Sequence, residues 1–370
     1  MPAERNEAMR EFLARAGWGK ADSIPLPGDA STRRYIRLRL GDRAALLMDQ
    51  PQSAETPAAS SGATPDERRA LGYNAVARLA GADCARFVAA ANYLRSKGLS
   101  APEIYAHDAA QGFVLIEDLG DDLFADVLRR GADEPALYAA AAEVLAKLHA
   151  DAAPNVLPPD KDLHVYDETA LLAEVDLLTE WFFPVALGRK ADTAESEEHR
   201  HLWRLALAPH LRAPPVFVHR DYHAQNLLWL PARGGVARVG LIDFQDAVAG
   251  AKAYDLVSLI EDARRDVAPA VGEGAAGIYL KNMREQGTAL DADAFAAEMA
   301  AFAAQRNAKI VGIFARLFRR DAKPRYLTYL PRVWSYLGRD LQHPALAALK
   351  SWYDRAVPHE ARGVPRHEGV

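Results

Sequence analysis

Apolar and polar residues alternate through "RYIRLRL": Ile36, Leu38 and Leu40 fall on one side, Tyr35, Arg37 and Arg39 on the other. A period of two belongs to a half-buried strand, because successive side chains leave opposite faces. Gly41 and Asp42 turn the chain into "RAALLMD", so residues 34–49 are predicted as an antiparallel hairpin. Upstream, residues 7–17 carry apolar positions at helical spacing and stop before Gly19, which predicts a short amphipathic helix. The stretch "PQSAETPAASSGATPD" (51–66) offers little to bury and reads as a surface loop.

Helical patterning returns over 67–97 and is closed by Gly98 and Pro102. "GFVLIEDLGDD" then reads as a buried strand running into a polar turn. Beyond Leu123 the chain is Ala- and Leu-rich and mostly helical, apart from two short strands around 226–243. The fold class expected is α+β with two lobes: a β-rich N-terminal lobe over 1–119 and a mostly helical one over 120–370. No repeat of fixed period and no heptad run is present.

Composition narrows the function classes. Half of the 370 residues are hydrophobic, enough for a sizeable core, and the net charge of −5 leaves no excess of cations to coat a phosphate backbone. A small-molecule ligand is expected, not nucleic acid. Cys84 is the single cysteine, so an internal disulfide framework and a cysteine-based zinc site are excluded, and a reducing compartment fits. The charged start "MPAERNEAMREF" lacks the apolar core of a signal peptide, and no run approaches the roughly 18 apolar residues of a spanning helix. A cytoplasmic protein without a membrane partner is expected, a monomer by default.

The chemistry concentrates in "FVHRDYHAQNLLWL" (217–230). An apolar run leads to His219, another starts after Asn226, "PARGG" (231–235) signals a turn, and "VARVGLID" returns as a second strand. In an antiparallel hairpin the start of the first strand lies beside the end of the second, so Asn226 and Asp243 are expected as neighbours. An amide oxygen and a carboxylate side by side suit Mg²⁺, which keeps waters and completes its shell with phosphates. Asp221, in the bend before Asn226, is placed to accept the proton of an attacking hydroxyl. His-Arg-Asp, an Asn five positions on, and an Asp-Phe after a following strand form the order of a protein-kinase-like catalytic loop.

Taken singly these residues have plainer readings: Asp221 as a turn former, His219 as a satisfied core histidine, Asn226 as a cap. Their joint order and spacing favour the phosphotransferase reading. His219 and Arg220 are expected to support the loop. Asp255 is expected to fix it through backbone hydrogen bonds. Two readings of Asp246 stand, a second metal contact or a cap of the following helix.

Together, "PLPGDASTRRYIRL", "LIEDLGDDL", "FVHRDYHAQNLLW", "GLIDFQDAVAGAKAYDLVSLIEDARRDV" and "QRNAKIVGIFARLFRRDAKPRYLTYLPRVWSYL" resemble the aminoglycoside phosphotransferase (APH) superfamily over about residues 25–340. Within it they are most similar to the bacterial kinases of cell-wall recycling that phosphorylate amino sugars at the anomeric hydroxyl. The resemblance implies a two-lobed kinase-like fold with ATP between the lobes, Mg²⁺ on Asn226 and Asp243, and Asp221 as base. It implies N-acetylmuramate and/or N-acetylglucosamine as acceptor in peptidoglycan recycling. It also places the backbone of Glu117 to Leu119 against the adenine edge.

One departure matters. Kinases carry a lysine on the third strand, and "RAALLMDQP" has none. Arg33 and Arg34, beside the Gly28 to Thr32 turn, are the nearest replacements, with Ser31 and Thr32 hydroxyls as further donors to phosphate; the alternative is that these arginines are ordinary surface charges. Gln245 stands where protein kinases have glycine.

On the acceptor side, "VYDETALLAEVDLLTEWFFPVAL" (165–187) sets Leu171, Leu172, Val175 and Leu178 on one helical face, with Glu174 and Glu180 off that stripe. Glu180 and Trp181 are the acceptor-site candidates, an acid for sugar hydroxyls and a ring for the sugar's apolar face. A solvated acidic face with core aromatics is the alternative. Rival functions are another kinase of the superfamily, acting on an aminoglycoside, choline, homoserine or a ketosamine, and a silent kinase-fold binding module.

Overall fold

The computed structural model describes residues 3–27, 33–51 and 57–365. In chain order they form α1 (Ala3–Arg15), β1 (Asp22–Pro25), β2 (Arg34–Leu40), β3 (Arg43–Asp49), α2 (Pro65–Leu71), α3 (Tyr73–Val76), α4 (Cys84–Ser96), β4 (Ile104–Asp108), β5 (Phe113–Glu117), α5 (Phe124–Arg129) and α6 (Glu134–His149). There follow β6 (Val156–Leu157), β7 (Lys161–Asp162), α7 (Glu168–Leu177), a π-helical stretch (Leu178–Leu187), α8 (Thr193–Leu207), β8 (Val216–Val218), β9 (Leu227–Trp229), β10 (Val239–Leu241) and β11 (Val248–Gly250). The chain ends in α9 (Ala253–Ile260), α10 (Pro269–Glu285), α11 (Ala292–Asp321), α12 (Leu330–Asp340) and α13 (Ala347–Ala356). Among the described residues, no helix is long and apolar enough to cross a membrane.

Two compact units divide these elements. The first takes in residues 1–148, 154–164 and 224–248, the second 149–153, 165–223 and 249–370. Where a single boundary at 119 is expected from the chain's patterning, the compact units interleave, because the hairpin of β9 and β10 packs with the β-rich part.

The first unit is built on an antiparallel sheet in the order β1-β2-β3-β5-β4. The hairpin forms in the expected register, with Leu40 opposite Arg43 across Gly41, whose φ of +59° a side chain would strain. Period two sorts the residues. Leu38, Ala45, Leu47, Phe113 and Leu115 bury one face together with Phe12 of α1 and Trp18. Tyr35, Arg37, Leu46 and Ile116 turn to the other, where they line a cavity. β1 and β4 escaped the sequence reading: β1 is four exposed residues ending in proline, and β4 is an edge strand with a bulge between Ile104 and Ala106.

The helical segment expected over 67–97 is three helices, broken at Gly72 (φ +104°) and again before Asp83, which caps α4. The first begins at Pro65, inside the expected loop, because Thr64 and Glu67 form a reciprocal capping box. Four further short strands, β6, β7, β8 and β11, interrupt the region expected to be helical apart from two; at two or three residues each they leave no readable period.

The second unit is organised by α11, thirty residues long, against which α7, the π-helical stretch, α9 and α12 pack. α11 approaches the end of α7 so closely that a Cβ on Gly312 would lie 2.4 Å from the carbonyl carbon of Leu177. The stripe of Leu171, Leu172, Val175 and Leu178 is not the only buried face here, since Glu174 and Asp176 of α7 are buried as well.

Candidate active site

In the first unit, the β9 and β10 ladder pairs Leu227 with Leu241 and ends with Ile242 N–H donating to the Asn226 carbonyl at 3.1 Å. That register sets Asn226 Nδ2 3.4 Å from Asp243 Oδ2. Asp243 is held at φ +63°, a conformation that costs a non-glycine residue on the order of 1 kcal/mol and concentrates at functional sites. Gln245, in the position of the kinase glycine, donates its amide to Asp243 Oδ1 at 3.1 Å. Asp246 does not cap the helix that follows, whose N-cap is Lys252. Its Oδ1 accepts the backbone N–H of Ala80 at 2.6 Å, tying the hairpin to the segment before α4.

Asn226 and Asp243 open onto a cavity of about 400 Å³. Leu26, Leu46, Ile116, Leu228 and Ile242 supply apolar walls, and Glu117, Leu119 and Gly120 form one rim. The Glu117 N–H is spent on the Glu103 carbonyl (2.9 Å), and Gly120 N–H on the Asp118 side chain (3.0 Å). Leu119 N–H lies between them with no partner among the described residues. The rim is clamped by Arg37, which sequence reading placed only as a strand residue. Its guanidinium takes Asp121 through two bonds of 2.8 Å and Asp118 at 2.7 Å, raising its already high pKa.

Of the two candidate arginines, Arg33 lines the cavity, with its Nη2 3.1 Å from Asp243 Oδ1 and its side chain largely buried. Arg34, one residue on and therefore on the opposite face of the strand, is exposed. Leu46 is the β3 residue that lines the cavity. Ser31 and Thr32 lie outside the described residues.

In the second unit, β8 delivers His219 and Arg220 to the buried carboxylate of Asp255. Its two oxygens accept the backbone N–H groups of His219 (2.6 Å) and Arg220 (2.8 Å). Burial raises the Asp255 pKa to about 7, with Asp221 adding to the rise, against the lowering effect of those two hydrogen bonds and Arg306. Arg220 has φ +81°, and its buried guanidinium reaches Glu174 while lying 4.6 Å from the Tyr166 ring.

Glu174, the other glutamate off the apolar stripe, faces the interior. It is fully buried and contacts Arg220, Tyr166 Oη, Lys309 Nζ (3.0 Å) and Gln305 Nε2 (3.1 Å). Burial opposes its ionisation, but Lys309 and Arg220 outweigh it and hold the carboxyl down at about 2. A glutamate off the apolar stripe reads as solvated; here the stripe's far side meets cations from α11 and the loop. Glu180 and Trp181 sit in the π-helical stretch after α7, Glu180 at the surface and Trp181 half-buried. Burial and Asp176 push the Glu180 carboxyl up.

The donor set suits a hard divalent ion: one carboxylate and one amide, whose oxygen and nitrogen are exchangeable by a ring-free flip of Asn226. A model of the phosphotransferase enzyme family, APH, matches residues 22–290. An N-acetylmuramate/N-acetylglucosamine kinase of Caulobacter vibrioides is 45% identical over 98% of this chain and 99% of its own. One of the same name from Pseudomonas aeruginosa is 32% identical over 93% and 92%. Among solved structures, an ADP-bound aminoglycoside phosphotransferase superposes with a TM-score of 0.54 at 16% identity, covering 95% of this chain and 99% of its own.

Proposed function

Because this chain belongs to the APH phosphotransferase enzyme family, we propose that it transfers the γ-phosphoryl group of ATP to the anomeric hydroxyl of N-acetylmuramate, N-acetylglucosamine or both. It is a kinase acting on these amino sugars, and the product is the sugar 1-phosphate, returned to cell-wall synthesis. The observation that carries the reading is the end-to-end likeness to the Caulobacter vibrioides enzyme. A cytoplasmic setting, where ATP is supplied and Cys84 stays reduced, goes with it.

The residues divide the work. The apolar walls of the first unit's cavity accept the adenine, with the Leu119 N–H and the Glu117 carbonyl as its main-chain partners. Arg33 turns from Asp243 to the phosphates, replacing the charge that a strand lysine gives other kinases. Ser31 and Thr32, which precede Arg33 in the chain, add hydroxyl donors. Asn226 and Asp243 hold Mg²⁺, which when bound neutralises phosphate charge.

In the second unit, Asp221 takes the proton of the acceptor hydroxyl as its oxygen bonds to the γ-phosphorus and the bond to the β-phosphate oxygen breaks, releasing ADP. Asp255, Arg220 and His219 keep the base in place. Glu180 and Trp181 are assigned to the acceptor.

Purified protein with ATP and Mg²⁺ should phosphorylate one or both amino sugars and leave aminoglycosides, choline, homoserine and ketosamines untouched. Asp221→Asn should lower kcat by at least about 10³-fold, the scale of a lost general base with its positioning. Turnover of another acceptor with neither sugar accepted would reject the assignment, and an unimpaired Asp221→Asn enzyme would reject the base.

A further inference from the structure

Two residues after Asp221, still in the second unit, lies His223, whose backbone N–H returns to the Asp221 carbonyl at 3.1 Å. Its ring is buried, and Nε2 lies 3.3 Å from Arg264 Nη1. A guanidinium only donates, so Nε2 accepts and the proton sits on Nδ1. Burial lowers the His223 pKa, in keeping with a neutral ring. That Nδ1 is buried with no partner among the described residues.

Two neighbours are buried beside it. Asp262 is 1% exposed; its Oδ1 accepts the Arg264 backbone N–H at 2.8 Å, while Oδ2 is buried without a partner among the described residues. Arg306, 5% exposed, donates to the carbonyl of Glu261, the residue before Asp262, at 3.1 Å. Neither Arg264 nor Arg306 has a carboxylate partner among the described residues, whereas Glu261 is engaged by Arg339 and Asn307. Unsatisfied buried polar atoms are uncommon because each costs about 1–3 kcal/mol. A donor, an acceptor and two guanidinium groups without a carboxylate partner among the described residues, gathered beside the catalytic segment, are what a ligand with hydroxyls and a carboxylate would complete.

We propose that Asp262, Arg264 and Arg306, grouped around His223, form the acceptor-recognition site, and that the two arginines select an amino sugar bearing a carboxylate. The proposal rests on the kinase reading above and sharpens it: N-acetylmuramate, with its carboxylate-bearing side arm, is preferred over N-acetylglucosamine, and Asp262 accepts a hydroxyl or amide hydrogen common to both.

The test is initial-rate kinetics on both sugars for the wild type, Arg264→Ala, Arg264→Lys and Asp262→Asn. In Arg264→Ala the ratio of kcat/KM for N-acetylmuramate to that for N-acetylglucosamine should fall by about 10- to 100-fold, chiefly through KM, as when a charged pair is lost. Arg264→Lys, which keeps the charge and loses the fork, should recover only part of it. Asp262→Asn should raise KM for both sugars alike. A ratio within twofold of wild type in the arginine variants overturns the proposal, as does an unchanged KM in Asp262→Asn. Where Arg264→Ala does not fold, the ratio in Arg264→Lys decides. A wild type inactive on both sugars sinks the kinase reading itself, so the two failures are told apart.

Discussion

The carboxylate of Asp255 stands 2.8 Å from the backbone nitrogen of Arg220, a residue held in a left-handed conformation at the entry to the bend that carries Asp221. The same carboxylate takes the N–H of His219, so one buried acid fixes two successive peptide groups before Asp221. The cost is that of burying the group: its pKa stands at about 7, against about 3.9 in an unfolded chain.

The sign of the consequence follows from proton counting. Below about pH 4 both states hold the proton and nothing is lost. Between about pH 4 and 7 the unfolded chain has released it and the folded one has not, so stability falls as pH rises and levels off above 7. The amplitude is on the order of 3–4 kcal/mol. Urea titrations of wild type and Asp255→Asn at several pH values should give a stability difference that declines across this window. A flat difference would show that Asp255 does not titrate there. The variant should also lose at least about tenfold in kcat, since an amide cannot accept both N–H groups and the bend loosens.

Glu174 makes a second test. It is the buried counter-charge for Arg220 and Lys309, so Glu174→Gln leaves two cations unpaired in the interior. A loss of about 3–5 kcal/mol is expected, read by urea unfolding. Adding Lys309→Met to it should cost less than the sum of the single changes, with a coupling of at least about 1 kcal/mol. Strict additivity would show that the ion pair contributes nothing.

Legibility in the sequence followed the range of the interaction. Asn226 and Asp243 could be paired from sequence because a strong turn sets the register of a short hairpin, and register alone brings them together. The β2 and β3 hairpin was readable for the same reason. The burial of Glu174 was not legible, because it depends on an arginine 46 positions away and a lysine on α11. Asp262, Arg264 and Arg306 carry no short motif; only the packing of α11 near residue 261 assembles them. The choice between Arg33 and Arg34, by contrast, was available from the alternation of strand β2, on which Tyr35 and Arg37 share the face of Arg33.

Arg33 is expected to matter for nucleotide affinity. It already lies in the cavity at 3.1 Å from Asp243, within reach of a group that arrives beside that carboxylate. Arg33→Met should weaken binding of ADP with Mg²⁺ by about 10-fold or more, the worth of one charge-assisted pair, and Arg33→Lys should restore part of it. Calorimetry on the proteins without acceptor measures this apart from turnover. An unaltered Kd would return Arg33 to the role of a partner for Asp243 alone.

Two glycines of the second unit give opposite expectations from one substitution. Gly312 lies in α11 where a Cβ would meet the Leu177 backbone at 2.4 to 2.6 Å, and backbone at a helix junction cannot step aside as a flexible side-chain tip can. Gly312→Ala must therefore push α11 from the end of α7, at a cost of about 1–3 kcal/mol or more despite alanine's better helix propensity. Gly338 lies in α12 with nothing within 4 Å of the added carbon, so Gly338→Ala keeps the propensity gain and should stabilise by about 0.4–1 kcal/mol. Because the chemistry of the change is identical, urea midpoints of the two variants isolate packing from backbone entropy. Loss at 312 with gain at 338 is the expected pair, and a gain at both would mean that α11 and α7 have room between them.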